Sequence, residues 1–273
     1  YTAQQTLDYA QALYEKKLIT YPRTDSRFLT EDMESMLPDM VEKLFSMFPV
    51  EGIKHISIHA NQVINGKKVT DHHAILPTKE VGNHHLSELP KGEQEVLNLV
   101  VTRLFSAVGD PYCYAETVIE ANCGDTVFSA KGKTKLQDGF ENRQESTKTE
   151  KELPVVLIND ALEIASMEIK EGKTSPPKHY TEDTLLQSME NAGADEMPED
   201  AERKGLGTPA TRAGIIEKLV RIGFLERKGE KKTKHLIPTH KGIALVTVMP
   251  EQIQSPSMTA DWEEKLLLIE RKE

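Results

Sequence analysis

The hydrophobic period of this chain changes twice, and nothing else in the sequence restricts its fold as much. Up to about residue 109, apolar side chains recur every three or four positions, and from Pro111 they alternate. Ser175-Pro176-Pro177 then halts both patterns, since proline supplies no N–H to a helix or a ladder. The expectation is an α+β, multidomain chain: a mainly helical part over 1–109, a β-rich segment over 110–175, and a second helix-rich, basic part over 176–273. A length of 273 residues is enough for two or three separate cores.

Within the first part, Thr2 and Gln5 read as a capping box that opens a helix carrying Ala3, Leu7, Ala10 and Tyr14. A second helix is expected from Thr30, broken or kinked at Pro38, and the clearest one covers Lys91 to Val108. His55 to His59 reads as extended, with a turn at Asn65-Gly66. In the β-rich segment, Tyr114, Thr117 to Ile119, Val127 to Ser129 and Leu162 to Ile169 read as strands, with a turn at Gly124-Asp125. After the proline pair come helices over Thr181 to Ala192, Thr208 to Arg221 and Thr259 to Glu270. Phe224 to Glu226 and His235 to Thr239 read as two strands around the basic hairpin Arg227 to Lys234. A helix followed by a basic β-hairpin is the pattern of a winged helix, repeated weakly by Thr2 to Tyr14 and Leu18 to Tyr21.

A formal net charge of −10 argues against a domain that simply coats nucleic acid, but the distribution is uneven. Between Arg203 and Lys241 eleven Lys or Arg stand against three Glu, while acids collect in Glu31 to Glu51 and Asp195 to Glu202. One region would hold a polyanion and others would repel it. Cys113 and Cys123 are too few for a disulfide framework and too far apart for a zinc half-site, which fits a reduced, cytoplasmic setting with free thiols. If both lie on adjacent strands they could face each other. No run approaches the ~20 apolar residues of a membrane helix. The start at Tyr1 and the stop within Glu270-Arg271-Lys272-Glu273 read as those of a piece of a longer protein.

Three segments carry residues suited to chemistry. In Leu18 to Ser26, Tyr21 stands two residues before Arg23 where a helix gives way to a turn. A phenol titrates near ~10, so it attacks at neutral pH only with help in losing its proton. Arg23 offers both a cation and a planar fork of donors for phosphate oxygens. In Gly205 to Arg212, Thr208 suits the cap of a helix that begins at Pro209. The start of that helix is an anion site to which Thr211 and Arg212 can add donors. The segment Asp71 to Thr78 carries His72 and His73, and six of the nine histidines fall between His55 and His85. Their spacing matches no familiar zinc pattern, so no metal site is expected; satisfied or exposed imidazoles are the default reading, and a further option is that His72 donates a hydrogen bond to a phosphate or shuttles a proton.

Leu-Ile-Thr-Tyr-Pro-Arg-Thr-Asp-Ser at 18–26, preceded by Leu13-Tyr14-Glu15, resembles the active-site segment of type IA DNA topoisomerases. His72 to Thr78 resembles their histidine motif, and Gly205 to Ala213 their later phosphate-binding motif, in the same order. The wording is nearer the topoisomerase III branch than bacterial topoisomerase I. The resemblance implies that Tyr21 attacks a single-strand phosphodiester to give a 5′-phosphotyrosyl link, with Arg23 and His72 at the scissile phosphate. It further implies DNA contacts from Thr20, Thr208, Thr211, Arg212, Lys231, Lys232 and Lys234, and a preference for single-stranded DNA. It implies a tyrosine domain over 1–109, the returning half of a β-rich arch over 110–175, and a winged-helix-like DNA-binding domain over 176–273. Magnesium is expected in the intact enzyme, held by an N-terminal acidic domain, because no Asp-x-Asp-x-Glu cluster occurs here. The chain alone should therefore bind DNA weakly and not complete strand passage, and the intact protein is expected to be a nucleoid-associated monomer. The competing reading is a non-catalytic winged-helix regulator of duplex DNA, with Lys231, Lys232 and Lys234 on phosphates. A tyrosine recombinase fits less well, since that chemistry expects several arginines before the tyrosine.

Overall fold

Helix caps and turn residues set the element boundaries in the computed structural model, which describes residues 1–51, 53–140, 152–193, 205–229 and 233–272. The elements, in order, are α1 (Ala3–Glu15), α2 (Leu37–Met47), α3 (Lys91–Val108), β1 (Cys113–Cys123), β2 (Thr126–Gln137), α4 (Glu182–Asn191), α5 (Pro209–Arg221), β3 (Leu225–Lys228), β4 (His235–Pro238), α6 (His240–Val248) and α7 (Ser257–Arg271). Short 3-10 turns fill several connections, among them Glu31–Met36 and Lys79–Asn83. The chain is thus of mixed helix and strand. Among the described residues no helix is long and apolar enough to cross a membrane.

Two compact units form, each from separated stretches: Tyr1–Arg27, Lys67–Leu97 and Pro176–Glu273 in one, Phe28–Gly66 and Asn98–Ser175 in the other. In the first unit, α1 is opened by the Thr2 and Gln5 capping box. Gly92 admits the Tyr9 ring, since a Cβ there would come within 2.3 Å of it. The nearly buried Glu93 accepts from Lys16 Nζ at 2.5 Å. Leu13, Leu18, Ile19, Leu76 and Val81 are all buried.

Farther along the first unit, α5 is followed by the antiparallel pair β3 and β4, in register Leu225 to Pro238 and Lys228 to His235. Arg227 on β3 joins two helices there. Its Nε donates to Glu182 of α4 and an Nη to Glu217 of α5, both at 2.6 Å. The hydrogen bond with Glu217 is the largest cause that raises the guanidinium pKa further above its ordinary value. Glu182 also accepts the Ala3 N–H, so one carboxylate serves α1, α4 and β3.

The second unit is built around Leu37, Val41 and Leu44 of α2 and Val101, Leu104, Phe105 and Val108 of α3. Phe105 meets Phe45 and Phe140 edge to face, with centroids 5.6 and 6.0 Å away. Pro38 sits in the first turn of α2, where its missing N–H costs nothing, so the expected break appears as a helix start. β1 and β2 form a long antiparallel ribbon joined by Gly124-Asp125, with Gly124 at φ +58°.

Two further expectations change. The alternating run Leu162 to Ile169 forms no strand, and Leu162, Ile164, Met167 and Ile169 stand exposed. Alternation prepares a face for burial, and among the described residues no strand edge pairs with this one. Cys113 and Cys123 are free, as expected, and lie at opposite ends of one strand, roughly 30 Å apart at the rise of a strand. Helix α6 falls where no helix is expected; Thr239 caps it by accepting the Gly242 N–H at 3.2 Å, and its β-branched residues hide the period.

Substituting Arg227→Ala leaves two carboxylates without their shared partner. The expected loss is about 1–3 kcal/mol, read as a lower urea midpoint with unchanged slope.

Candidate active site

Lys17, at φ +62°, turns the chain out of α1 and starts an extended run. Thr20 N–H donates to the Leu76 carbonyl at 2.8 Å and Thr78 N–H to the Leu18 carbonyl at 2.9 Å. These two bonds lay 18–20 antiparallel to 76–78, with an isolated bridge between Ile19 and Pro77. Leu76 N–H donates to Thr20 Oγ1 at 2.9 Å, so the Thr20 side chain takes part in this pairing.

In this register the next ladder bond would run from residue 22 to the Ala74 carbonyl, and residue 22 is proline. The Ala74 carbonyl lies instead 2.7 Å from His73 Nδ1, which implies the tautomer with a proton on that nitrogen. Side chains then take over from backbone. Thr24 Oγ1 donates to the His72 carbonyl at 2.8 Å, Thr70 Oγ1 donates to Asp25 Oδ1 at 3.2 Å, and Ser26 Oγ donates to the Lys68 carbonyl at 2.8 Å. Tyr21-Pro22-Arg23 is the window between the two kinds of fastening.

The Tyr21 ring lies against the His72 imidazole, centroids 4.5 Å apart and planes tilted 50°. On another side Tyr14 meets it edge-on at 5.4 Å. Tyr21 is half-buried, while Arg23 is exposed and makes no hydrogen bond or ion pair among the described residues. Tyr21, Arg23, Arg27, His72, Thr208 and Arg212 all line one open cleft of about 1090 Å³ within the first unit.

The opposite wall is the glycine loop before α5. Gly205 (φ +87°) and Gly207 (φ +68°) take left-handed backbone, and a Cβ on Gly205 would lie 2.3 Å from the Glu190 carbonyl oxygen. Leu206 N–H donates to the Met189 carbonyl at 2.7 Å, closing the loop onto the end of α4. Thr208 N–H donates to Thr211 Oγ1 at 2.9 Å, and the two hydroxyls lie 3.2 Å apart, which is helix capping. Arg212 is buried, with its Nε on the Leu206 carbonyl at 3.0 Å and an Nη on the Gly207 carbonyl at 3.2 Å. It fastens the loop through these two carbonyls.

Thr20 and Thr211 support these walls from beside the cleft lining, whereas Lys234 is exposed beside β4 and away from it. Lys231 and Lys232 lie outside the described residues. Sequence reasoning missed Thr24, Ser26, Arg27 and Lys68, although the Thr-Asp-Ser run after Arg23 is the kind of short polar sequence that bonds to nearby backbone. Arg27 reaches Glu190 at 3.3 Å in an exposed pair. The lining carries Arg23, Arg27, Arg212 and Lys68 against Asp25, Asp71 and Glu190, so its charge is nearly balanced. Among the described residues no three His, Cys, Asp or Glu side chains gather as a metal site.

A phenol packed against an imidazole, with an exposed guanidinium lining the same cleft, suits chemistry at a phosphate group. A family model described as DNA topoisomerase matches residues 1–273. The chain belongs to the type IA DNA topoisomerase family. Proteins named DNA topoisomerase 3 from Bacillus licheniformis and Bacillus subtilis are each 37% identical to it, over 97% and 98% of this chain. The chain spans 38% and 39% of their lengths. Full-length topoisomerase I from Thermotoga maritima shares the fold with a TM-score of 0.60 at 23% identity, over 100% of this chain and 43% of that one.

Gly205→Ala forces both a strained backbone and a collision with α4. Hydrogen exchange at Leu206 N–H should quicken, with a stability loss of about 1–3 kcal/mol on denaturant titration.

Proposed function

We propose that this chain supplies the tyrosine side of a type IA topoisomerase, cutting and rejoining one DNA strand through a 5′-phosphotyrosyl intermediate to relax or decatenate DNA. The observation that carries this reading is the Tyr21 ring packed on His72 beside the exposed Arg23 in an open cleft. Tyr21 Oη attacks the phosphorus; the new P–O bond forms as the P–O3′ bond breaks. The phenolic proton leaves, and O3′ takes up a proton to become a free hydroxyl. Arg23 donates to the phosphate oxygens as charge builds on them. His72 hydrogen-bonds at the same phosphate or carries the proton. Rejoining is the reverse, so one ester replaces another and no energy source is needed.

The Gly205–Arg212 loop holds a neighbouring phosphate at the start of α5, with Thr208 and Thr211 at its edge and Arg212 keeping its shape. Thr20 acts on DNA through the placement of its neighbour Tyr21. The α5, β3 and β4 arrangement serves as a winged-helix-like element, with Lys231, Lys232 and Lys234 as contacts for DNA phosphates. A nearly balanced cleft fits weak binding by this chain alone and a need for the rest of the intact protein, here read as a nucleoid-associated cytoplasmic monomer that prefers single strands. The intact protein is read as a magnesium-dependent enzyme. We place the ion with an acidic domain outside this chain, and no step above runs through it. No observation favours the non-catalytic regulator.

The test uses the full-length parent protein with magnesium and a 3′-labelled single-stranded oligonucleotide, quenched with denaturant. Label should map to Tyr21 and be absent from Tyr21→Phe. Tight duplex binding that weakens steeply with salt, without any adduct, would overturn the reading.

A further inference from the structure

We propose that Thr24 is a positioning residue for this phosphodiester chemistry, acting through His72; the inference rests on the reading of Tyr21 as nucleophile. Tyr21 and His72 belong to segments far apart in the chain, and the imidazole reaches the phenol only if the second segment is held beside the first. The backbone ladder that holds them ends at Thr20 and Leu76, because Pro22 cannot extend it. Below that point the first fastening is Thr24 Oγ1 to the His72 carbonyl, across 48 residues of sequence. Among the described residues this is the one hydrogen bond that His72 makes, so its backbone is anchored at that carbonyl and its ring by contact with Tyr21.

The hydroxyl is itself fixed. It donates to the His72 carbonyl at 2.8 Å and accepts the Ser26 N–H at 3.1 Å, so its proton has a defined direction. The next fastenings, from Thr70 to Asp25 and from Ser26 to Lys68, hold the segment on the far side of His72. Without the Thr24 hydroxyl, the stretch between Leu76 and Thr70 has, among the described residues, no hydrogen bond to the tyrosine segment, and only the ring contact of His72 with Tyr21 remains. The imidazole would then sample positions displaced from Tyr21. Displacement of a catalytic group by about 1 Å costs on the order of 100-fold in rate.

The experiment uses the full-length parent protein with magnesium and the same 3′-labelled oligonucleotide under single-turnover conditions. Thr24→Val should slow adduct formation at saturating oligonucleotide roughly 10- to 100-fold while leaving the half-saturating concentration nearly unchanged, since Arg23 is untouched. Thr24→Ser, which keeps the donor and acceptor, should restore the rate. In histidine-labelled protein, the His72 ring protons should carry a ring-current displacement from Tyr21 that Thr24→Val removes and Thr24→Ser retains. Combined with His72→Ala, Thr24→Val should add no further loss, as expected of two residues acting in series. Thr24→Ala stands in if Thr24→Val does not fold. A wild-type rate in Thr24→Val, an unchanged His72 resonance, a failure of Thr24→Ser, or additive losses with His72→Ala would each overturn the proposal. Wild-type protein that forms no Tyr21 adduct removes the underlying reading itself, a result distinct from all of these.

Discussion

Two backbone hydrogen bonds, from Thr20 to Leu76 and from Thr78 to Leu18, set the register on which the site depends. Each contributes only about 1 kcal/mol net, too little to fix a register alone. The neighbouring apolar side chains supply the rest. Leu18 and Ile19 are 0% and 1% exposed, and burial of such side chains stabilises by about 1.5–3 kcal/mol each. A slip of one residue would turn them to the other face of the run and carry Tyr21 away from His72. The position of the tyrosine is therefore set by residues that never touch its hydroxyl. Pro22 then ends the ladder at the point where side chains must be presented rather than paired.

The opposite wall is held differently. The Gly205–Thr208 loop has little apolar surface to bury, and its shape is kept by hydrogen bonds to carbonyls: Leu206 onto Met189, and Arg212 onto Leu206 and Gly207. Arg227 performs a comparable service one layer away, gathering Glu182 and Glu217 so that α4 and α5 are fastened to β3. Both arginines work as multi-donor brackets, a use for which the planar guanidinium suits them better than lysine would.

Much of the fold was legible in local pattern. The Thr2 and Gln5 cap, the apolar face of α3, the Gly124-Asp125 hairpin and the α5, β3 and β4 succession all follow from short-range chemistry that one sequence carries. The three chemical motifs were visible as motifs, and the structure brings residues of all three to one cleft. The fastening of Thr24 to His72 was not legible, because it joins positions 48 residues apart and no local period reports it. Helix α6 was hidden by its own β-branched composition, while the run at Leu162 showed a strand's pattern without a strand's partner. In each case the deciding fact was the presence or absence of a distant neighbour.

The first unit leaves its own sequence twice, once between Arg27 and Lys67 and again between Leu97 and Pro176, the second excursion twice as long as the first. Closing a flexible loop grows costlier only with the logarithm of its length, about 0.6 kcal/mol for each doubling. The entropy of bringing Tyr21 to His72 and to the Gly205 loop is thus nearly indifferent to how much chain is spent in between. Such an architecture tolerates insertions and deletions in its excursions while the returning ends stay fixed. Length is the elastic variable in this molecule, and the points of return are the inelastic ones.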